Sequence, residues 1–350
     1  MKRTILVVDD DRLNLMMAQK LLAEDYHVAA VNSGELALRY LGKNCPDLIL
    51  LDIQMPDMDG FEVMKKIQEN GQWRKIPVIF LTADRTEQTE EECFKLGAVD
   101  YIGKPFVPAI MMQRVHRTIE LEGYRRSLEQ MVEQQLQRIT QLQQDIIFSM
   151  ANLIESRDGT TGEHVKRTSG YVNLLVEKMQ EQGLYSEQLT HDYVNYMRKA
   201  APLHDIGKIA IPDAVLQKPG KLTKEEHEMI QIHAEEGGRL IRENMSRIAE
   251  QEFVEIACDM AACHHEKWAG GGYPRGLKGE EIPLSARILA IADVFDALVS
   301  ERQYKKGMSL EQAFAIMEDE RGKSFEPKLL DVFVAAEDEL RQLMKEYEAA

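Results

Sequence analysis

His264 and His265 stand side by side in the run HHEKWAGGGYP, sixty residues after His204 and Asp205 in HDIGK, with His164, His233 and Asp293 spaced around them. Imidazoles and carboxylates together suit a metal that activates water for phosphoester hydrolysis, provided positions stay open for a hydroxide and a substrate oxygen. If Asp205 is shared by two ions, His164, His204 and Asp293 can complete one site and His233, His264 and His265 the other. Each ion then has three ligands of its own and one shared carboxylate, leaving about two positions of an octahedron open. A nitrogen and oxygen donor set without thiolate favours iron, manganese, cobalt or nickel and admits zinc. Five of the nine histidines fall in this set. His27, His116, His191 and His227 lie outside it and are read as ordinary core or surface residues.

A second constellation sits in residues 4–120. TILVVDDD, DLILLDIQMP, IPVIFLTA and VDYIGKPF are buried-strand runs ending in polar loops and separated by amphipathic stretches, the pattern of a doubly wound α/β domain. Chemistry in such a sheet gathers at the carboxyl ends of the strands, where Asp9, Asp10, Asp52, Thr82 and Lys104 fall. Clustered carboxylates repel one another unless a divalent cation neutralises them, and hard oxygen ligands with room for water suit magnesium. Asp52 is then the natural nucleophile toward a phosphoryl group, with Lys104 and Thr82 contacting its oxygens.

Between the two lies a helix-forming stretch from roughly Pro108 to Ser156. Leu121, Arg125, Leu128, Val132, Gln135, Ile139, Leu142 and Ile146 recur at alternating four- and three-residue steps, a coiled-coil seam with two polar members. The stretch could span roughly 70 Å and hold two domains apart in a parallel dimer. An intramolecular helix packed on the C-terminal domain is the competing reading. The expected division is 1–120, 121–150 and 151–350.

From about Asn152 to Pro327 the chain resembles the HD-GYP domain, a subgroup of the HD phosphohydrolases. TTGEHVKR, LHDIGKIAIPD, KPGKLTKEE, His233, HHEKWAGGGYP, GLKGEEIPLSARILAIADVFDAL and SERQY carry the resemblance. It implies an all-α metal-binding domain that hydrolyses cyclic di-GMP to linear pGpG, with further cleavage to GMP left open. It further implies that Lys208 and Arg302 hold substrate phosphate and that Tyr273 borders the substrate. Relatives that bind a third metal carry Glu four residues before the first histidine; Thr160 stands there, so two ions are expected. Ala269 and Gln303 also depart from the common pattern, at positions that are not ligands. Glu266 is either an orienter of a histidine or a solvated charge at a helix end. Residues 4–120 resemble the response-regulator receiver domain, with a five-stranded parallel sheet. That implies Asp52 as phosphoacceptor, Asp9 and Asp10 holding magnesium with a carbonyl near Gln54, a switch pair of Thr82 and Tyr101, and a sensor histidine kinase as partner. GGDEF proteins are further partners in this picture.

At 350 residues and 44% hydrophobic content the chain can bury two cores. A formal charge of −16 argues against nonspecific duplex DNA binding. No apolar run is long enough to cross a membrane and no cleavable signal precedes the first strand, so a cytoplasmic location is expected. Four cysteines without a CxxC pair are expected to be reduced and structural. The composite reading is a phosphorylation-regulated cyclic di-GMP phosphodiesterase. Its rivals are a catalytically weak cyclic-dinucleotide sensor or interaction module, a phosphohydrolase of another substrate, and a di-iron oxygenase.

Overall fold

A computed structural model describes residues 2–84, 86–158, 163–248, 250–300 and 307–348. The chain divides into two compact units, 1–137 and 138–350. Arg302, Gln303 and Thr160 lie outside the described residues.

The N-terminal unit alternates β1 Thr4–Val8, α1 Arg12–Leu22, β2 His27–Val31, α2 Gly34–Leu41, β3 Leu48–Asp52, α3 Gly60–Glu69, β4 Val78–Thr82, α4 Glu87–Lys95 and β5 Asp100–Gly103, followed by α5 Pro108–Glu155. All strands are parallel, in the order β2-β1-β3-β4-β5. Strand runs such as Leu48–Leu51 are apolar without a break because helices cover both faces. Ile49 and Leu51 join Leu6, Val8 and Phe80 against α2, α3 and α4. Leu48 and Leu50 join Ile5, Val7 and Ile79 against α1 and the first turns of α5. β2, whose sequence HVAAV is short and only half buried, is the strand that the apolar runs did not single out.

The C-terminal unit is helical: α6 Glu163–Glu181, α7 His191–Ala200, α8 Asp213–Leu216, α9 Lys224–Asn244, α10 Gln251–Cys263, α11 Leu284–Val299, α12 Leu310–Asp319, α13 Pro327–Ala335 and α14 Glu337–Glu348. Its core centres on Tyr171, Phe295 and Phe333, with ring centroids 4.9 and 5.1 Å apart. The capping boxes Thr223–Glu226 and Ser309–Gln312 start α9 and α12, fixing where each helix enters. Cys93, Cys258 and Cys263 are buried free thiols, and Cys45 is an exposed one. No helix among the described residues is long and apolar enough to cross a membrane.

Candidate metal centre

Five elements of the C-terminal unit each deliver part of one cluster. His164 lies in the first turn of α6, and His204 and Asp205 lie between the tight turns 201–203 and 206–210. His233 comes from the middle of α9, His264 and His265 from the end of α10, and Asp293 from α11. His164, His204, Asp205, His233 and His264 are all less than a tenth exposed.

The approach of α9 to the HDIGK turn depends on Gly207. A Cβ there would stand 1.9 Å from the His233 carbonyl oxygen and 2.5 Å from the Gly237 nitrogen. With no side chain at Gly207, His233 Nε2 reaches 3.2 Å from Asp205 Oδ1.

Two groups of ligand atoms result: His164, His204 and Asp205 in one, His233, His264 and His265 in the other. Asp293 Oδ1 joins the first at 3.5 Å from His164 Nε2. Asp205 faces both, with Oδ2 3.4 Å from His204 Nε2 and Oδ1 3.2 and 3.7 Å from His233 and His264 Nε2.

The outer nitrogens are committed. His204 Nδ1 donates to the Ala201 carbonyl at 2.9 Å, His233 Nδ1 to Ile230 at 2.7 Å, and His264 Nδ1 to Met260 and Ala261, both at 3.0 Å. His164 Nδ1 donates to Asp296 Oδ2 at 2.7 Å. A carbonyl or carboxylate can only accept, so Nδ1 of these four rings carries a proton and, wherever the ring is neutral, its Nε2 lone pair turns inward. Lone pairs then face a carboxylate and one another, with His233 and His264 Nε2 3.5 Å apart. Buried His204 Nε2 and Asp205 Oδ1 find no hydrogen-bond partner. Acceptors converging in a buried place need cations, and the donor set fits two divalent transition metals.

The titration behaviour reflects the same crowding. Burial pulls His204 down, but the Asp205 carboxylate beside it wins and lifts its pKa to about 9. Burial pushes His264 down to about 4 and His265 lower still. Asp205 is held well below the usual carboxylate range because Lys208 and His204 outweigh its burial.

Lys208 Nζ lies 2.9 Å from Asp205 Oδ2 and 2.8 Å from Glu155 Oε1. The Tyr273 ring packs 4.7 Å from that of His265, and burial raises its phenol pKa. A Cβ at Gly272 would meet the His265 carbonyl oxygen at 2.6 Å and the Glu266 Cα at 2.5 Å, so only glycine lets the turn fold back onto the histidine pair. Glu266 does not orient a histidine. It is buried, and its carboxylate accepts from the backbone amides of Arg275, Gly276 and Leu277 at 2.7, 3.1 and 3.0 Å, fastening the loop beyond Tyr273. The Ala269 amide donates to the Lys323 carbonyl at 2.7 Å, so this position serves loop docking.

Asp296, Glu155, Arg157 and Arg167 were not singled out from the sequence. Asp296, one turn beyond Asp293, binds both His164 and Arg167, the latter at 2.6 Å. An acid at that spacing was the available signal.

In the N-terminal unit Asp9, Asp10 and Asp52 offer oxygens within 4.8 Å of one another at the carboxyl ends of β1 and β3, where the strand order reverses. Lys104 Nζ bridges Asp9 and Asp52 at 2.8 and 2.7 Å. Burial raises the Asp52 pKa against the pull of Lys104, and the Gln54 amide approaches its Oδ1 at 3.4 Å. The acidic oxygens fit a hard divalent ion. The Thr82 hydroxyl donates to the Asp84 carbonyl at 2.8 Å, and the Tyr101 ring lies 5.4 Å beneath the Arg114 guanidinium. The Lys104–Pro105 and Tyr273–Pro274 bonds are cis.

Two families of known proteins match successive parts of the chain. The response regulator receiver domain family matches residues 5–116, and the HD domain family matches residues 126–329. A Vibrio cholerae protein named probable cyclic di-GMP phosphodiesterase is 41% identical over 343 residues, 95% of this chain and 78% of its own. The cyclic di-GMP phosphodiesterase response regulator RpfG of Xanthomonas campestris is 35% identical over 311 residues, covering 87% and 79%. A Thermotoga maritima cyclic di-GMP phosphodiesterase is 32% identical over 357 residues, covering 98% and 92%. With a receiver match followed by an HD match along one chain, and whole-length similarity to these proteins, the chain belongs to the response regulators that carry an HD-domain output.

Proposed function

We propose that the protein hydrolyses cyclic di-GMP to linear pGpG under the control of its receiver domain. The observation that carries the reading is the Asp205 carboxylate, one oxygen toward His204 and the other toward His233 and His264. When bound, two divalent ions, iron or manganese foremost, lower the pKa of water and neutralise charge on the phosphoryl oxygens. His164, His204 and Asp293 would hold one ion and His233, His264 and His265 the other, with Asp205 shared. The buried ligand shell keeps the site preorganised, since the Nδ1 atoms of His204, His233 and His264 are fixed by backbone carbonyls and that of His164 by Asp296. Lys208, beside the shared carboxylate, contacts a phosphoryl oxygen of the substrate, aided by Arg302, and Tyr273 borders the nucleotide from its place against His265.

Asp52 accepts a phosphoryl group from a sensor histidine kinase with magnesium held by Asp9 and Asp10, Lys104 and Thr82 contacting the new oxygens and Tyr101 completing the switch. Phosphorylation at Asp52 changes the phosphodiesterase rate or the spacing of the domains. Leu121, Leu128, Val132, Ile139, Leu142 and Ile146 are each more than half exposed along α5, which favours a homodimer paired through that helix.

Two substitutions test the substrate assignment. Lys208→Ala and Arg302→Ala should keep full metal content and lose roughly ten- to hundred-fold in cyclic di-GMP turnover, the worth of one charged contact at about 1.5–3 kcal/mol. Loss of metal from either variant would reassign that residue, and turnover of another cyclic dinucleotide alone would change the substrate.

A further inference from the structure

Two side chains at the end of α5 grip the segment that carries Asp205 and Lys208. Glu155, the last residue of the helix, is 1% exposed and its Oε1 lies 2.8 Å from Lys208 Nζ. The same ammonium stands 2.9 Å from Asp205 Oδ2. Two residues on, Arg157 donates to the carbonyls of Lys208 at 3.3 Å, Ile209 at 3.2 Å and Ile211 at 3.2 Å. It also binds Asp213 Oδ1 at 2.6 Å. A planar guanidinium joined to four groups of one short segment cannot shift by an ångström without losing several bonds at once, so the segment follows the helix end.

Charge makes the contact directional. A buried carboxylate is costly unless it is paired and hydrogen-bonded, and Glu155 is paired with Lys208. Were Asp205 its sole acidic partner, the ammonium would settle onto the carboxylate that the metals share. Glu155, a second acid 2.8 Å from the ammonium, divides its attraction between two carboxylates and holds it beside Asp205, where a phosphate oxygen can reach it.

We infer that Glu155 is a positioning residue for Lys208, and that Glu155 and Arg157 form the joint through which a turn or shift of α5 reaches that lysine and the shared metal carboxylate. The inference rests on the phosphodiesterase reading and names the residues through which its control runs. α5 is one helix from Pro108 to Glu155, so the joint lies at the end of the helix that begins behind β5.

A double-mutant cycle in the manganese-loaded full chain tests the positioning role, with kcat, KM and metal content measured for wild type, Glu155→Gln, Lys208→Ala and the double variant. Glu155→Gln should keep two metals, lose about ten-fold in kcat/KM in the wild-type background, and lose nothing further in the Lys208→Ala background. An equal loss in both backgrounds, no loss at all, or loss of metal would overturn it. Hydrogen exchange tests the joint independently of activity. The amides of Lys208 and Ile211, bonded to Asp205 and Lys208 carbonyls, should lose at least about ten-fold protection in Arg157→Ala, and unchanged protection would overturn the joint. No turnover by the wild type with these exchange effects intact would instead refute the phosphodiesterase reading.

Discussion

Truncating Asp296 should damage the metal centre without removing a ligand. Its carboxylate is 1% exposed and accepts from His164 Nδ1 at 2.7 Å, Arg167 Nε at 2.6 Å, Arg167 Nη2 at 3.1 Å and Ser300 Oγ at 3.0 Å. Burial alone would raise its pKa, but these partners hold the carboxyl below the usual range, so it is charged at neutral pH. In Asp296→Ala, among the described residues, the largely buried Arg167 keeps Glu163 at 3.2 Å on the exposed side, and His164 Nδ1 keeps the Thr168 hydroxyl at 3.3 Å. Removing one member of a buried ion pair costs about 3–5 kcal/mol, so the C-terminal unit should unfold at markedly lower denaturant. A ligand histidine that loses its orienting carboxylate typically loses about 10- to 100-fold in metal affinity. Only one of the two ions should feel this, because His233 and His264 keep their Nδ1 bonds to the carbonyls of Ile230, Met260 and Ala261. Competition against a chelator, followed by elemental analysis, should therefore show one equivalent weakened and one retained. Two equivalents of unchanged affinity, or two weakened alike, would refute the reasoning.

Two further perturbations probe other parts of the account. Gly207→Ala drives a Cβ into the His233 carbonyl from 1.9 Å, a backbone clash that forces α9 away at about 3 kcal/mol, and the variant should lose the ion on the His233 side first; wild-type metal content would contradict this. Asp52→Asn removes one of three mutually repelling carboxylates from the magnesium crevice, so the metal-free variant should melt above the wild type and gain little from added magnesium, which calorimetry with and without chelator would measure.

What the residues disclosed in advance follows from how rare and how local each signal is. Adjacent histidines before a glycine-rich turn are uncommon, so the ligand candidates stood out, and strand runs such as LILLD stood out because both of their faces are buried. β2 did not, since HVAAV at a half-buried edge lacks that contrast. Asp296, Glu155 and Arg157 look like ordinary helix-surface charges in one dimension. Their partners lie 132, 53 and up to 56 residues away, and only folding brings them together. Neither reading of Glu266, an orienter of a histidine or a solvated helix-end charge, anticipated that the chain turns back so that its carboxylate meets three amides of the following loop.

The central claim is that Asp205 is the carboxylate shared by two metals in a cyclic di-GMP hydrolase. The most direct measurement pairs elemental analysis with product analysis on full-length wild type and Asp205→Ala, each purified without chelator and supplied with iron or manganese. The account predicts about two ions per chain and linear pGpG from the wild type, with both ions and all product lost together in the variant. Two ions retained by Asp205→Ala, or a fully loaded wild type that leaves cyclic di-GMP intact, would contradict it.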